Sequence, residues 1–139
     1  MGKLQDIIKE FQETDEEFRL DLLLDYSDKL PHLPEKIQTT LRQEKHRVPE
    51  CQTPVYLEIF AENQQIKIQA EVPPESPTVR GIISILFFVL NGCPLKNLEE
   101  IPTDLLHRLG LNKKIGTLRS QGINAILHRL RREIILLIG

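Results

Sequence analysis

Tryptophan is absent from this chain, and aromatic residues make up only 5% of its 139 positions. A single-stranded nucleic-acid groove stacks bases on exposed aromatic rings, and the sequence offers few to build one. Basic excess is missing as well: 18 Lys and Arg stand against 20 Asp and Glu, a formal charge of −2, which argues against a chain-wide nucleic-acid footprint. The longest apolar run, Ile82 to Leu90, is broken by Ser84 and is about half the roughly 20 residues that a membrane-spanning helix needs. The opening Met1-Gly2-Lys3-Leu4-Gln5-Asp6 carries charge early, unlike a secretory signal, and Asp6 stands where a myristoylation pattern has Ser or Thr. The expected location is the cytoplasm, with no membrane partner. Gly-rich phosphate loops, a Gly-x-Ser-x-Gly elbow and an i, i+4 histidine pair are all missing, although His32, His46, His107 and His128 are present. Two cysteines, Cys51 and Cys93, fall short of a four-ligand zinc site, and a reducing compartment gives no reason to join them. No bound metal or cofactor is expected.

What is present suits one ordinary domain spanning residues 1–139, large enough to bury a core without staples. Leu4, Ile7, Ile8 and Phe11 lie on one face of a short amphipathic helix. Thr14 and Glu17 have capping-box spacing, so a second helix is expected to start there, with a stripe of Phe18, Leu22, Leu23, Tyr26 and Leu30 ended by Pro31. Residues 31–50 read as a connection with one helical turn near 35–42. After Cys51 the period becomes two. Val55, Leu57 and Ile59 alternate with polar or aromatic residues, as do Ile66, Ile68, Ala70 and Val72, which is an antiparallel hairpin turning at 61–65. Arg47 and Val48 are candidates for a third strand. Ser76-Pro77 opens a nearly all-apolar helix that Asn91-Gly92 ends. Short helical pieces follow near 95–100 and 103–109. A last helix from about Thr117 carries the stripe Ile123, Ile126, Leu127, Leu130, Ile134 and Leu137, with His128, Arg129, Arg131 and Arg132 on its other side. The order gives an α+β fold: helices packed on a small antiparallel sheet of about three strands.

Cys51 lies in Val48-Pro49-Glu50-Cys51-Gln52-Thr53-Pro54, a proline-bounded polar loop at the mouth of the hairpin. Reactive thiols occupy such partly exposed polar settings, but Glu50 next door disfavours a thiolate, so these features alone leave reactive and inert readings open. Cys93 in Gly92-Cys93-Pro94 reads as a small corner-filling residue. His46 lies five residues before Cys51, and whether it polarises that thiol depends on geometry. Arg119 reads as an ordinary surface arginine, and the basic face of the last helix as a solvated surface. The readings from other classes are a stand-alone thiol enzyme using Cys51 and a non-catalytic adaptor working through that basic face.

Three motifs, in order, resemble the SufE family of sulfur acceptors, which includes the CsdE proteins. They are Cys51-Gln52-Thr53-Pro54-Val55-Tyr56, Pro77-Thr78-Val79-Arg80-Gly81 and Leu118-Arg119-Ser120-Gln121-Gly122. The resemblance implies that Cys51 accepts the outer sulfur of a persulfide formed on a cysteine desulfurase (SufS- or CsdA-like), whose pyridoxal phosphate stays on that partner. It implies a transient persulfide on Cys51, stimulation of the desulfurase, and delivery of sulfur to a downstream iron–sulfur scaffold, making the chain a relay and activator rather than a stand-alone enzyme. Arg119 and Glu75 match positions linked to partner docking, and Glu50 and Gln52 flank the acceptor in the same interface. This chain departs from many members in having Glu50 where Gly precedes the cysteine, Thr53-Pro54-Val55-Tyr56 in place of Ser-x-Val-Trp, and His46 where Asn is common. Glu50 resists backbone shapes that Gly permits.

Overall fold

In the computed structural model, which describes residues 2–49 and 54–138, the alternation after Pro54 becomes an antiparallel hairpin. Strand β1 (Tyr56–Glu62) pairs with β2 (Gln65–Glu71), Tyr56 opposite Glu71 and Glu62 opposite Gln65. Every second residue, Leu57, Ile59, Ile66, Ile68 and Ala70, is buried, which is the burial of a sheet with one covered face. The two turn residues, Asn63 and Gln64, have φ of 55° and 65°. Positive φ at both positions matches the twist of the flanking strands, and Asn tolerates it better than Gln.

Among the described residues the sheet has two strands, not about three. Where the third was expected, Arg47 makes a single antiparallel bridge to Tyr56, and the Val48 N–H donates to the Val55 carbonyl at 2.9 Å. In that register the next pair is Pro49 with Pro54. Both prolines fit there, because in this ladder that pair is non-hydrogen-bonded and calls for no N–H.

Helix α1 (Lys3–Glu13) buries Leu4, Ile8 and Phe11. Its first N–H groups are met from far along the chain: Glu99 accepts from Leu4 at 2.9 Å and from Gln5 at 3.1 Å. The capping box at Thr14 does not form. The Thr14 hydroxyl donates backward to the Glu10 carbonyl at 2.7 Å, closing α1. A 3-10 turn over Glu16–Phe18 follows, and α2 (Arg19–Lys29) begins only at Arg19. The reason is visible in Arg19 itself, whose Nε donates to the carbonyls of Phe11 and Thr14 at 2.9 and 3.1 Å. One residue opens α2 and caps α1, leaving no room for a regular N-cap at Thr14. Phe18, expected in the apolar stripe, is 52% exposed.

Helix α3 (Glu35–Leu41) and a 3-10 turn over Glu44–His46 fill the connection before the Cys51 segment. Helix α4 (Pro77–Leu90) is the centre of the core, with ten buried residues. It packs against α2, and Gly81 allows the close approach: a Cβ there would lie 2.6 Å from the Leu23 carbonyl oxygen. Short α5 (Leu105–Arg108) ends before Gly110. Helix α6 (Thr117–Ile138) buries Ile123, Ile126, Leu127 and Leu130 against α4 and β1, while Ile135, Leu136 and Ile138 are exposed. Among the described residues no helix is long and apolar enough to cross a membrane.

Candidate functional site

Glu50, Cys51 and Gln52, three of the residues singled out from the sequence, lie outside the described residues, so the site is built from the frame that carries them. That frame is a neck. Val48 and Val55 are fully buried, and the hydrogen bond between them joins the two ends of the proline-bounded segment 49–54. A buried backbone hydrogen bond flanked by two apolar side chains is costly to open, so the segment leaves and rejoins the body at a fixed place.

Arg129 of α6 holds the upstream side of this neck. Its Nη1 donates to the Arg47 carbonyl and its Nη2 to the Lys45 carbonyl, both at 2.5 Å, and its side chain is only 13% exposed. A planar guanidinium suits two carbonyls two residues apart, and lysine offers no such fork. The Nε of Arg129 lies 3.5 Å from Glu133 and makes no hydrogen bond. Arg131 similarly donates to the Ile101 carbonyl at 3.0 Å. The basic side of α6 is therefore not simply a solvated surface, because two of its arginines stitch the helix to neighbouring backbone.

His46 is buried, with Nδ1 3.0 Å from the Leu41 carbonyl and Nε2 3.5 Å from Glu58. A carbonyl can only accept, so Nδ1 carries a proton and Nε2 faces the carboxylate. Both ring nitrogens have partners in the body of the fold. His46 thus anchors the turn before the neck, and it has no ring nitrogen to spare as a base for Cys51.

On the downstream side, Pro54 and Tyr56 line a cleft of about 640 Å³ with Glu71, Pro73, Pro74 and Arg80. Arg80, from the Pro-Thr-Val-Arg-Gly motif, ties this region together. It donates to the carbonyls of Ser27 at 3.0 Å, Val72 at 2.9 Å and Leu30 at 3.3 Å. It closes the C-terminal end of α2 and fixes the start of the 72–76 turn at the same time. Glu71 accepts a forked pair of bonds from Arg42, at 2.6 and 2.8 Å, and this hydrogen bonding raises the Arg42 pKa. Glu75 is exposed one residue beyond cleft-lining Pro74, on a turn closed by the Ser76 N–H to the Pro73 carbonyl at 3.0 Å. Arg119 is exposed on the first turn of α6, roughly 15 Å along the helix axis from Arg129. Glu75 therefore belongs to the rim of the Pro54 cleft, whereas Arg119 stands apart from the neck. Cys93 is half-buried, its Sγ 3.6 Å from the Asn97 carbonyl, as expected of a corner-filling thiol.

Arg80 and Arg129 are the residues whose structural work the sequence reading did not separate from their surroundings. Arg129 carried a signal: it directly precedes buried Leu130 and lies three positions after buried Ile126, at the border of the apolar stripe.

Comparison with known proteins places this frame. The model of the SufE family, described as an Fe-S metabolism associated domain, matches residues 5–134. An uncharacterized SufE-like protein of Mycobacterium tuberculosis is 33% identical over 132 residues, covering 94% of this chain and 90% of that protein. SufE-like protein 1 of Arabidopsis thaliana, chloroplastic/mitochondrial, is 24% identical over 132 residues, which make up 34% of its length. The solution structure of a hypothetical protein from Thermus thermophilus superimposes with a TM-score of 0.79 at 29% identity, covering 99% of this chain and 98% of that one. The α+β architecture is thus shared end to end, and the domain match carries a role in Fe–S metabolism. This chain belongs to the SufE family.

Proposed function

We propose that the chain is a sulfur acceptor that takes persulfide sulfur onto Cys51 from a pyridoxal-phosphate-dependent cysteine desulfurase, stimulates that enzyme, and hands the sulfur to an iron–sulfur scaffold. The observation that carries this reading is the family match over residues 5–134, which spans the Cys51-Gln52-Thr53-Pro54 segment and the neck that anchors it. The step is an exchange between sulfurs. The Cys51 thiolate attacks the terminal sulfur of the partner's persulfide, the partner's S–S bond breaks, and its cysteine leaves as a thiolate that takes up a proton. One S–S bond is lost and one is formed, so no oxidant or reductant enters. Turnover rises because the partner's cysteine is cleared for the next cycle.

The chemistry asks little of this chain beyond an accessible sulfur on a held loop. The pinned Val48–Val55 neck supports that arrangement, because it fixes where the segment leaves and rejoins the body. Arg119 and Glu75, both exposed, are proposed as partner-docking residues, together with Glu50 and Gln52 beside the acceptor. The working compartment is proposed to be the cytoplasm. A stand-alone thiol enzyme is the weaker reading, since His46, the histidine closest to Cys51 in sequence, is engaged on Leu41 and Glu58.

The test is substitution of each cysteine in turn. Cys51→Ser is expected to abolish stimulation of a desulfurase that the wild-type chain stimulates, at an unchanged urea midpoint, while Cys93→Ser keeps stimulation. Full stimulation by Cys51→Ser would remove the acceptor role and favour an adaptor.

A further inference from the structure

A second cleft, of about 650 Å³, is lined by Pro49, at the other end of the Cys51 segment. Its floor is one face of α6. Ala125, His128, Arg129, Arg132 and Glu133 recur at i, i+3, i+4, i+7 and i+8, which aligns them along the helix. Small Ala125 leaves the space, and Glu44, Lys45 and Arg47 supply the facing wall.

Its charge opposes that of the molecule. Four cations, Lys45, Arg47, Arg129 and Arg132, face two carboxylates, Glu44 and Glu133, in a chain whose formal charge is −2. Glu133 already lies 3.5 Å from Arg129. The Nε donors of Arg47 and Arg129 are both buried without a hydrogen-bond acceptor. Buried N–H donors left without acceptors are uncommon and costly, and a concave surface of one sign concentrates the opposite charge. Those two Nε atoms are closed to a ligand, so the charge open to one is that of Lys45, Arg132 and the outer edge of Arg47, which form no ion pair among the described residues, and its complement is an anion. A nucleic-acid strand fits poorly, because among the described residues no Phe, Tyr or Trp lines the cleft and Glu44 and Glu133 would repel a run of phosphates. Separate carboxylates on a polypeptide can meet the cations one at a time, without a continuous run of charge beside Glu44 and Glu133.

We propose that this cleft docks an acidic segment of the cysteine desulfurase that loads Cys51, with the partner's carboxylates meeting Arg132, Lys45 and the open edge of Arg47. This rests on the sulfur-acceptor reading. Docking at the Pro49 side sets the partner's surface against one end of the acceptor segment while leaving the Pro54 side open. The cleft therefore fixes the approach, and the thiol performs the exchange.

The experiment pairs Lys45→Glu/Arg132→Glu with a control of equal charge change, Lys9→Glu/Lys96→Glu; all four side chains are exposed. Each is titrated into a desulfurase that the wild-type chain stimulates, and the half-saturating concentration is read at low and high salt. Intact mass reports loading of Cys51. The cleft variant is expected to raise half-saturation about tenfold at low salt, with the gap narrowing at high salt, while the control shifts by less than about twofold. Equal behaviour of the two variants, with Cys51 still loaded, would overturn the docking site and leave the acceptor reading standing. Failure of the wild-type chain to load at all would overturn both. A single-stranded oligonucleotide that displaces the desulfurase from the wild-type chain but not from the cleft variant would assign the cleft to nucleic acid instead.

Discussion

Replacing Arg129 by methionine keeps most of the side-chain stem and removes the guanidinium that grips the neck. Two hydrogen bonds are lost, to the carbonyls of Arg47 and Lys45. Bonds to a charged donor contribute about 1.5–3 kcal/mol each, which sets an upper bound near 6 kcal/mol. Two effects reduce it. Lys45 is exposed, so water can replace the guanidinium at its carbonyl. The wild-type Nε is buried without an acceptor, and the variant no longer bears that desolvation cost. The net loss should be about 2 kcal/mol, or roughly a 1 M fall in the urea midpoint for a domain of this size. The loss should also be local. Amide exchange at Val48, whose N–H bonds Val55, should speed up more than exchange in α4, and alkylation of the Cys51 thiol should change rate. A stability change under about 0.5 kcal/mol with unaltered Val48 protection would show that Arg129 does not hold the neck.

Other substitutions probe the frame at separate points. Gly81→Ala should destabilise by about 1–3 kcal/mol in urea unfolding, because the new Cβ would sit 2.6 Å from the Leu23 carbonyl oxygen and no rotamer relieves backbone. Helix propensity alone favours Ala by about 1 kcal/mol, so a neutral or stabilised variant would contradict the tight α2–α4 contact. Gln64→Gly should stabilise by about 1 kcal/mol, since Gln64 holds φ of 65° in the hairpin turn where Gly is at ease; thermal unfolding checks it. Burial, together with its hydrogen bond to Glu10 at 2.9 Å and the charge of that carboxylate, pushes the Tyr26 pKa up to about 12. The phenol stays protonated longer in the folded chain than in the unfolded one, so this contribution to stability is complete below about pH 10 and is lost as pH rises toward 12. Absorbance titration of wild-type minus Tyr26→Phe should show a late phenolate step. A difference step near pH 10 would refute the contact.

Elements whose formation depends on local pattern were legible in the residues. The period-two run from Val55 to Val72 could only bury one face as a hairpin, and Ser76-Pro77 with Asn91-Gly92 bracketed α4 by turn chemistry alone. What failed depended on partners far along the chain. Thr14 and Glu17 satisfied a capping pattern, but the ends of α1 and α2 were decided by Arg19 reaching back to Phe11 and Thr14. The two-strand sheet required knowing the pairing, because Arg47 meets Tyr56 by a single bridge and no alternation in the residues before it shows how far that pairing runs. The basic side of α6 looked solvated because composition cannot distinguish an arginine facing water from one bonded to a carbonyl 82 residues away, as Arg129 is. For the site, Pro49 and Pro54, which bound the Cys51 segment, could be read, while Glu50, Cys51 and Gln52 lie outside the described residues. The carbonyl partners of His46, Arg80 and Arg129 could not, since a backbone acceptor leaves no mark on the sequence, and for Arg129 only its place at the border of the apolar stripe was a sign.

Whether Cys51 accepts sulfur is tested by incubating the chain with an active cysteine desulfurase and free cysteine, then measuring intact mass without reductant. The expected result is a gain of about 32 Da, one sulfur atom, removed by reductant and mapped by proteolysis to Cys51. An unmodified chain beside a turning-over desulfurase, or sulfur found on Cys93 instead, would contradict it.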